Sequence, residues 1–430
     1  FHPAQPPLLP PHARHGIGQA RPEKAPMMGK TLRGIDPESG KTLEIRVRGG
    51  NIEAIDTIGT SGKPGLDRGL GQRQGQEQGL PFLSHGFFDI QVNGYKGSDY
   101  SAENLDAGHI LSIIGSLASS GTTQHLATIV TRPRGRIVEN LRIIARARRE
   151  SPMIRAAIAG IHLEGPFISA EEGPRGAHDL SCIRDPDFGE FLEWQDAAED
   201  LIRIVTLAPE KKGALEFIRK LTERGVIAAI GHTAASPEQI SEAVAAGCRL
   251  STHLGNGSHA TLPRLRNYVW EQMAADTLHA SIIADSFHLP PAVVKTIARA
   301  KGVDRLILVS DVSQPGGSEP GLYRWGNLDV RVFDDGHVGL AGSGFLAGAG
   351  HLLDWDIPHF MRFTGASLSE AIRLCTRNPA EFLRPGVLSG KIEIGRSANI
   401  VLFHFNEGDE RLRIESVLIE GEEAARSFQP

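Results

Sequence analysis

The chain predicts an α/β fold: a (β/α)8 barrel of the TIM type, joined to a small β-sandwich built from both chain ends. Three observations carry that reading. Strand-like and helix-like segments alternate eight times between about residues 82 and 385. The 430 residues suit a large barrel with a satellite better than one ordinary small domain. No glycine-rich phosphate fingerprint follows the first strand, which argues against the alternative, a doubly wound open sheet.

Residues 1–30 are rich in Pro, His, Ala and Gly and show no apolar periodicity. They lack the apolar core of a secretory signal and read as a disordered tail. His2, His12 and His15 fall in it, where a chain without fixed shape makes poor metal ligands. Residues 43–48 alternate with period two, pass a Gly49-Gly50 turn, and resume at 51–55 as a half-exposed hairpin. Residues 59–80 carry many Gly and Gln and read as a long loop. Near the other end, 398–403 and 414–419 read as strands. The segments 31–81 and 386–430 are therefore expected to pair into one β domain around a barrel at 82–385. Barrel strands are expected at 86–93, 122–130, 156–163, 201–208, 225–231, 248–254, 279–285 and 305–311. Helices are expected between them at 103–119, 135–149, 212–224, 236–246 and 291–301. Asp334-Asp335-Gly336 marks a hairpin turn in an insertion after the eighth strand.

In such a barrel, catalytic groups sit at the C-terminal ends of the strands. Strand one ends Asp89-Ile90-Gln91-Val92-Asn93, and strand three ends His162-Leu163-Glu164. Strands five and six end Gly231-His232-Thr233 and Thr252-His253. Strand seven ends Ala284-Asp285-Ser286-Phe287-His288, and strand eight ends Ser310-Asp311. A lone histidine at any of these places reads as a hydrogen-bonded structural residue, but this fold would bring all six ends to one mouth. Glu164, His232 and His253 offer one carboxylate and two imidazoles, a set for Zn²⁺ or a similar divalent ion with a fourth position open to water. Such an ion lowers the pKa of water to ~7. Asp311 is placed to take the water's proton and pass it to a leaving group. His288 is placed to hold a carbonyl oxygen as charge develops on it. The chemistry is metal-assisted hydrolysis of an amide; the bland counterpart is a barrel whose polar ends only bind a ligand.

Composition excludes other classes. The net charge of −5 gives no basic field for nucleic acid. No run of ~18 apolar residues exists to span a membrane. Cys182, Cys248 and Cys375 are too few and scattered for a disulfide framework and fit a reducing, cytoplasmic setting. Among the seventeen histidines, His109, His279, His337, His351, His359 and His404 read as structural. His125 has no assigned role, and His259 lies in the loop after strand six.

Several stretches carry a resemblance: Gly86 to Gly94, His162-Leu163-Glu164-Gly165-Pro166-Phe167, Leu207 to Glu210, Gly231-His232-Thr233, Thr252 to Asn256, Ile283 to His288, Ser310-Asp311, Leu340 to Ser343 and Gly390 to Gly395. On these the chain resembles the N-acetylglucosamine-6-phosphate deacetylases of the amidohydrolase superfamily. The resemblance implies metal-dependent deacetylation of N-acetyl-D-glucosamine 6-phosphate, with the ion on Glu164, His232 and His253 and with Asp311 as acid/base. Another N-acyl amino sugar or amide, or a non-catalytic sugar-binding relative, stays open. The superfamily's His-x-His at the end of strand one is Gln91 and Asn93 here. Amides are poor Zn²⁺ ligands beside imidazole. One ion is therefore expected (zinc, or else iron, manganese or cobalt), with Gln91 bonded near it or its water. The family's Thr-His-Leu-Phe-Asn-Ala-Met is Thr252-His253-Leu254-Gly255-Asn256-Gly257-Ser258 here, which reshapes the pocket. The Asn256 and Gly257 backbone amides remain available to an anion. By the same resemblance Arg264 serves the neighbouring subunit's sugar phosphate, which implies a homodimer. His178 is matched to the phosphate or its replacement, at the end of a loop, 169–178, two residues longer than the family's.

Overall fold

The computed structural model describes residues 29–58, 79–384, 388 and 390–426. The tail expected over 1–30 and the loop expected over 59–80 lie outside them, apart from the last two residues of each.

Eight parallel strands hydrogen-bond in strict chain order: Phe87–Val92, Thr122–Val130, Ile158–Glu164, Ile202–Leu207, Ile227–Ile230, Leu250–Ser251, His279–Ile282 and Leu306–Leu308. Each overlaps its expected segment. They are the first to eighth barrel strands below. The fifth, Ile-Ala-Ala-Ile, is buried at every position. That is the pattern of a strand covered on both faces, here by side chains inside the barrel and helices outside. The ring closes where Val92 pairs with Val312, just beyond the eighth strand. Asn93 N–H donates to Val312 O (3.0 Å), and Asp311 N–H donates to Gln91 O (3.1 Å).

The helices form where the sequence supplies both a stripe and an end. Ala214–Glu223 turns Phe217, Ile218 and Leu221 inward. Pro237–Ala246 opens with a Ser236–Gln239 capping box and a proline in its first turn, and ends at left-handed Gly247 (φ 118°). Phe167, three residues past Glu164, packs between Trp194 (5.3 Å) and Phe217 (5.2 Å) and so pins the loop leaving the third strand. No helix among the described residues is long and apolar enough to cross a membrane.

The chain ends meet in a mixed seven-stranded sheet. Its order is Glu422–Arg426, Arg413–Ile419, Ile400–His404, Phe82–His85, Lys30–Ile35, Thr42–Arg48, Asn51–Thr57. Phe82–His85 thus belongs to this sheet, just past the boundary read from the sequence. Ile52 N–H donates to Arg396 O (2.9 Å), which folds the far edge back over a core of Ile45, Val47, Leu83 and Ile400. After the eighth strand comes a three-stranded insertion, Gly321–Trp325, Leu328–Val332 and Val338–Leu340, turning at Gly336 (φ 84°) where a turn was expected.

Candidate active site

The first strand builds the floor of the site. Asp89, Gln91 and Asn93 alternate along it, so all three face the barrel interior, and all are buried. Asp89 accepts from the Gln91 N–H (3.1 Å), the Ser310 N–H (3.2 Å) and the Ser310 hydroxyl. Burial pushes its carboxyl up to about 7 despite those bonds. Gln91 donates from Nε2 to Glu164 Oε1 (2.9 Å), and Asn93 donates from Nδ2 to Asp311 Oδ1 (2.8 Å). One strand thereby orients both carboxylates assigned to the chemistry.

Glu164, His232 and His253 meet at the barrel mouth. Glu164 Oε1 lies 3.1 Å from His232 Nε2 and 2.9 Å from His253 Nε2, and the two imidazole nitrogens are 3.1 Å apart. His178 Nε2 stands 3.3 Å from His232 Nε2. The outer nitrogens fix how the rings point. His232 Nδ1 is 2.8 Å from Pro174 O, and so carries the proton that carbonyl accepts. Its Nε2 lone pair is thus turned to the centre. His178 Nδ1 bonds Thr131 Oγ1 (2.8 Å). Burial would raise Glu164, but contacts with His232 and His253 hold it well below the usual carboxylate range. Burial and the neighbouring His232 push His178 well down.

A carboxylate and converging imidazole lone pairs at about 3 Å repel unless a proton or a cation lies between them. Ligands on tetrahedral zinc at ~2.1 Å stand roughly 3.4 Å apart, close to the observed spacing. The donor set therefore fits a divalent ion. Glu164, His178 and His232 place one ligand atom each within 4.8 Å of one another. His253 Nε2 is closer still to Glu164, and its Nδ1 is buried without a partner among the described residues. Geometry makes Glu164 and His232 common members, with His253 and His178 on either side. His178, expected at the phosphate or its replacement, lines the same cavity and stands beside His232 at this cluster.

The backbone at these points is strained. His232 (φ 50°), His253 (φ 31°) and Asp311 (φ 51°) are all left-handed, a conformation costing roughly 1–3 kcal/mol each in a residue with a Cβ. Gly257 is needed beside them, since a Cβ there would lie 2.7 Å from His232 Nδ1. Asp311 is buried, and burial followed by the Glu164 charge raises its carboxyl to about 6. His288 Nδ1 bonds Asp285 Oδ2 (2.7 Å), while Asp285 Oδ1 accepts the Phe287 and His288 N–H groups (2.9 Å each). Burial alone would raise Asp285, but His288 and these bonds hold it low.

The remaining candidates are placed as follows. Asn256 lines the mouth and donates from Nδ2 to His253 O (3.2 Å). Arg264 is exposed and does not line the cavity of its own chain. His162 sits behind the site between Ile90 O (3.1 Å) and Thr206 Oγ1 (2.8 Å). His125 bonds Tyr100 (2.7 Å), and His259 bridges Tyr268 (3.0 Å) and Glu171 (3.0 Å). Sequence reasoning missed Asn93 as the partner of Asp311. It also missed a stack of rings, Phe333, His337, Phe287, His351, Trp355 and His359, with successive centroids 4.1–5.6 Å apart. That stack holds the loop before His288, and Trp355 Nε1 donates to Asp285 O (3.1 Å).

Together Asn93, Glu164, His232, His253, His288 and Asp311 open onto a cavity of about 1590 Å³. A metal-ligand cluster with a buried carboxyl beside it, at the C-terminal end of a parallel barrel, is a hydrolase-like constellation. The model of the amidohydrolase family matches residues 82–424. The chain belongs to the amidohydrolase family. It is 35% identical over 325 residues to N-acetylglucosamine-6-phosphate deacetylase of Bacillus subtilis (strain 168), covering 74% of this chain and 80% of that one. It is 31% identical over 352 residues to the Homo sapiens N-acetylglucosamine-6-phosphate deacetylase, covering 79% and 82%. A mutant of N-acetyl-D-glucosamine-6-phosphate deacetylase from Mycobacterium smegmatis, solved with N-acetyl-D-glucosamine-6-phosphate, superposes with a TM-score of 0.78. That structure shares 27% identity and covers 92% of this chain and 99% of its own. Like other members of its metal-dependent family, this amidohydrolase has residues in place to hold an ion.

Proposed function

We propose that this amidohydrolase removes the acetyl group from N-acetyl-D-glucosamine 6-phosphate, releasing acetate and glucosamine 6-phosphate. The observation that carries the reading is Asp311 beside Glu164, His232 and His253 in one buried mouth, in a chain so similar to deacetylases of that sugar phosphate. Glu164, His232 and His253 would hold one divalent ion, zinc in this reading, with His178 beside His232. When bound, the ion makes a water acidic and polarises a carbonyl.

The chain's own residues do the rest. Asp311, oriented by Asn93, accepts a proton as the water oxygen bonds to the acyl carbon. The carbonyl π electrons move to its oxygen, which faces the His288 ring that Asp285 holds in place. The carbon–nitrogen bond then breaks, and Asp311 returns the proton to the departing nitrogen. The amine and acetate are the products. A cytoplasmic homodimer, with Arg264 reaching the neighbouring subunit's substrate, completes the reading.

The test is acetate release from N-acetylglucosamine 6-phosphate, with elemental analysis of the purified protein. Asp311→Asn should lower kcat by roughly 10²–10⁴ with bound metal retained. Full activity in that variant would sink the mechanism.

A further inference from the structure

A second hollow lies at the other end of the barrel. Its volume is about 250 Å³, and Ala145, Arg148, Arg149, Arg155, Glu199 and Leu201 line it. These residues come from the segments that lead into the third and fourth strands. Arg148 and Arg149 lie in the last turn of the helix Arg134–Glu150, and Arg155 sits on the short helix Pro152–Ala157. Glu199 and Leu201 precede the strand Ile202–Leu207. Glu164 ends the third strand and Ile158 begins it, roughly 20 Å away at ~3.3 Å per residue. The hollow is therefore remote from the metal cluster.

Charge there is mostly positive. Arg149 pairs with Glu199, and both stay about half exposed. Arg148 is half-buried and donates from Nε to Ile158 O (2.8 Å), which pins its stem and leaves its charge uncompensated. Arg155 is exposed, and neither it nor Arg148 has a carboxylate partner among the described residues. Nearby, Arg203 lies across Gly160, where a Cβ would stand 2.5 Å from its Cγ. Its Nε–H is buried without a hydrogen bond among the described residues. Burial, then the charges of Arg203, Arg155 and Arg384, pull Arg148 below the ordinary guanidinium range. Burial and Arg384 do the same to Arg203, against the charge of Asp200. An arginine does not escape such crowding by losing its proton. An anion relieves it.

We infer that this hollow is a binding site for a small phosphate, either inorganic phosphate or a small phosphate ester, at the N-terminal end of the barrel and separate from the catalytic mouth. Its size admits one tetrahedral anion and excludes a nucleic-acid strand or a folded partner. Guanidinium forks match phosphate oxygens two at a time. Glu199, the one carboxylate on the wall, works against an anion but is already held by Arg149. A bound phosphate would tie the end of the helix Arg134–Glu150 to the helix that leads into the third strand. It acts on stability and not on the chemistry at the mouth.

The test is titration of inorganic phosphate into the full metal-loaded chain by calorimetry, with chloride holding the ionic strength constant. Arg148→Gln and Arg155→Gln should each weaken phosphate by about tenfold, within the range of a lost charged hydrogen bond. Arg155→Lys should recover part of the loss, and Glu199→Gln should tighten binding by roughly threefold. At 100 times its Kd, phosphate should raise Tm by about 3 °C. Arg155→Gln at the same phosphate concentration should halve that rise. Arg155 is exposed, so its replacement should leave the fold and kcat/KM for acetate release unchanged. Glucose 6-phosphate in a parallel titration separates the sources. Tighter binding than phosphate, lost in Arg155→Gln, assigns an ester, and weaker binding assigns the free ion. Phosphate that binds no better than chloride overturns the site, as does phosphate binding that Arg148→Gln and Arg155→Gln leave intact. So does capture of the protein on phosphatidic acid vesicles without binding of either soluble anion.

Discussion

Asn93→Ala tests how the acid/base is set. Asn93 Nδ2 donates to Asp311 Oδ1 at 2.8 Å inside a buried site, and this bond favours the ionised carboxylate. A hydrogen bond to a charged group contributes about 1.5–3 kcal/mol, and one pKa unit corresponds to about 1.4 kcal/mol. Losing the donor should therefore raise the Asp311 pKa by about one to two units from a starting point of about 6. The carboxylate is the active form, so a raised pKa leaves more of it protonated at a given pH. The acidic limb of kcat/KM should move upward by that amount. Activity near pH 6 should fall far more than activity near pH 8.5. The measurement is acetate release across pH 5–9, with metal content checked in parallel. The prediction concerns displacement, so a bound ion that lowers both limbs does not change it. A limb that stays put would refute the reasoning, as would an equal loss at every pH with metal retained.

Other outcomes follow from the same geometry. Dialysis against a chelator should abolish acetate release and lower Tm by about 4 °C, since an ion at 1,000 times its Kd contributes about 4 kcal/mol; zinc added back should restore both. Trp355→Phe keeps the ring stack but removes the donor to Asp285 O, and should lower kcat about fivefold with metal unchanged. Lys301 is 1% exposed, and its ammonium caps Gln272 O (2.5 Å), Ala275 O (2.8 Å) and Leu278 O (3.1 Å). Lys301→Met should cost about 3 kcal/mol and lower Tm by about 3 °C in calorimetry, leaving kcat/KM intact.

Much of this was legible in the chain, for definite reasons. Eight strands could be placed because barrel strands are apolar runs bounded by polar ends, and those ends are also where chemistry collects. Glu164, His232, His253, His288 and Asp311 could be named from position alone. Partnerships between distant strands were harder. Asn93 was seen only as a missing imidazole, although the period-two spacing of Asp89, Gln91 and Asn93 already put three polar groups on one inward face. Its bond to Asp311 depends on which strand closes the ring, and local pattern does not encode that. The resemblance matches His178 to the phosphate or its replacement, and nothing local in the sequence shows that the loop folds it back onto His232. The ring stack joins residues 287, 333, 337, 351, 355 and 359 across three separate elements, and no single periodicity links them.

The place where the ring closes has a meaning for biogenesis. The two ends of the barrel meet at Val92 and Val312, and Asp311 is the residue just before that junction. Every candidate ligand, from Glu164 to His253, is synthesised well before it. A nascent chain halted short of the eighth strand therefore owns all the candidate ion ligands but not Asp311, the proposed proton acceptor. On the proposed mechanism, hydrolysis begins only when the last strand docks against the first, so turnover would certify that the barrel was completed.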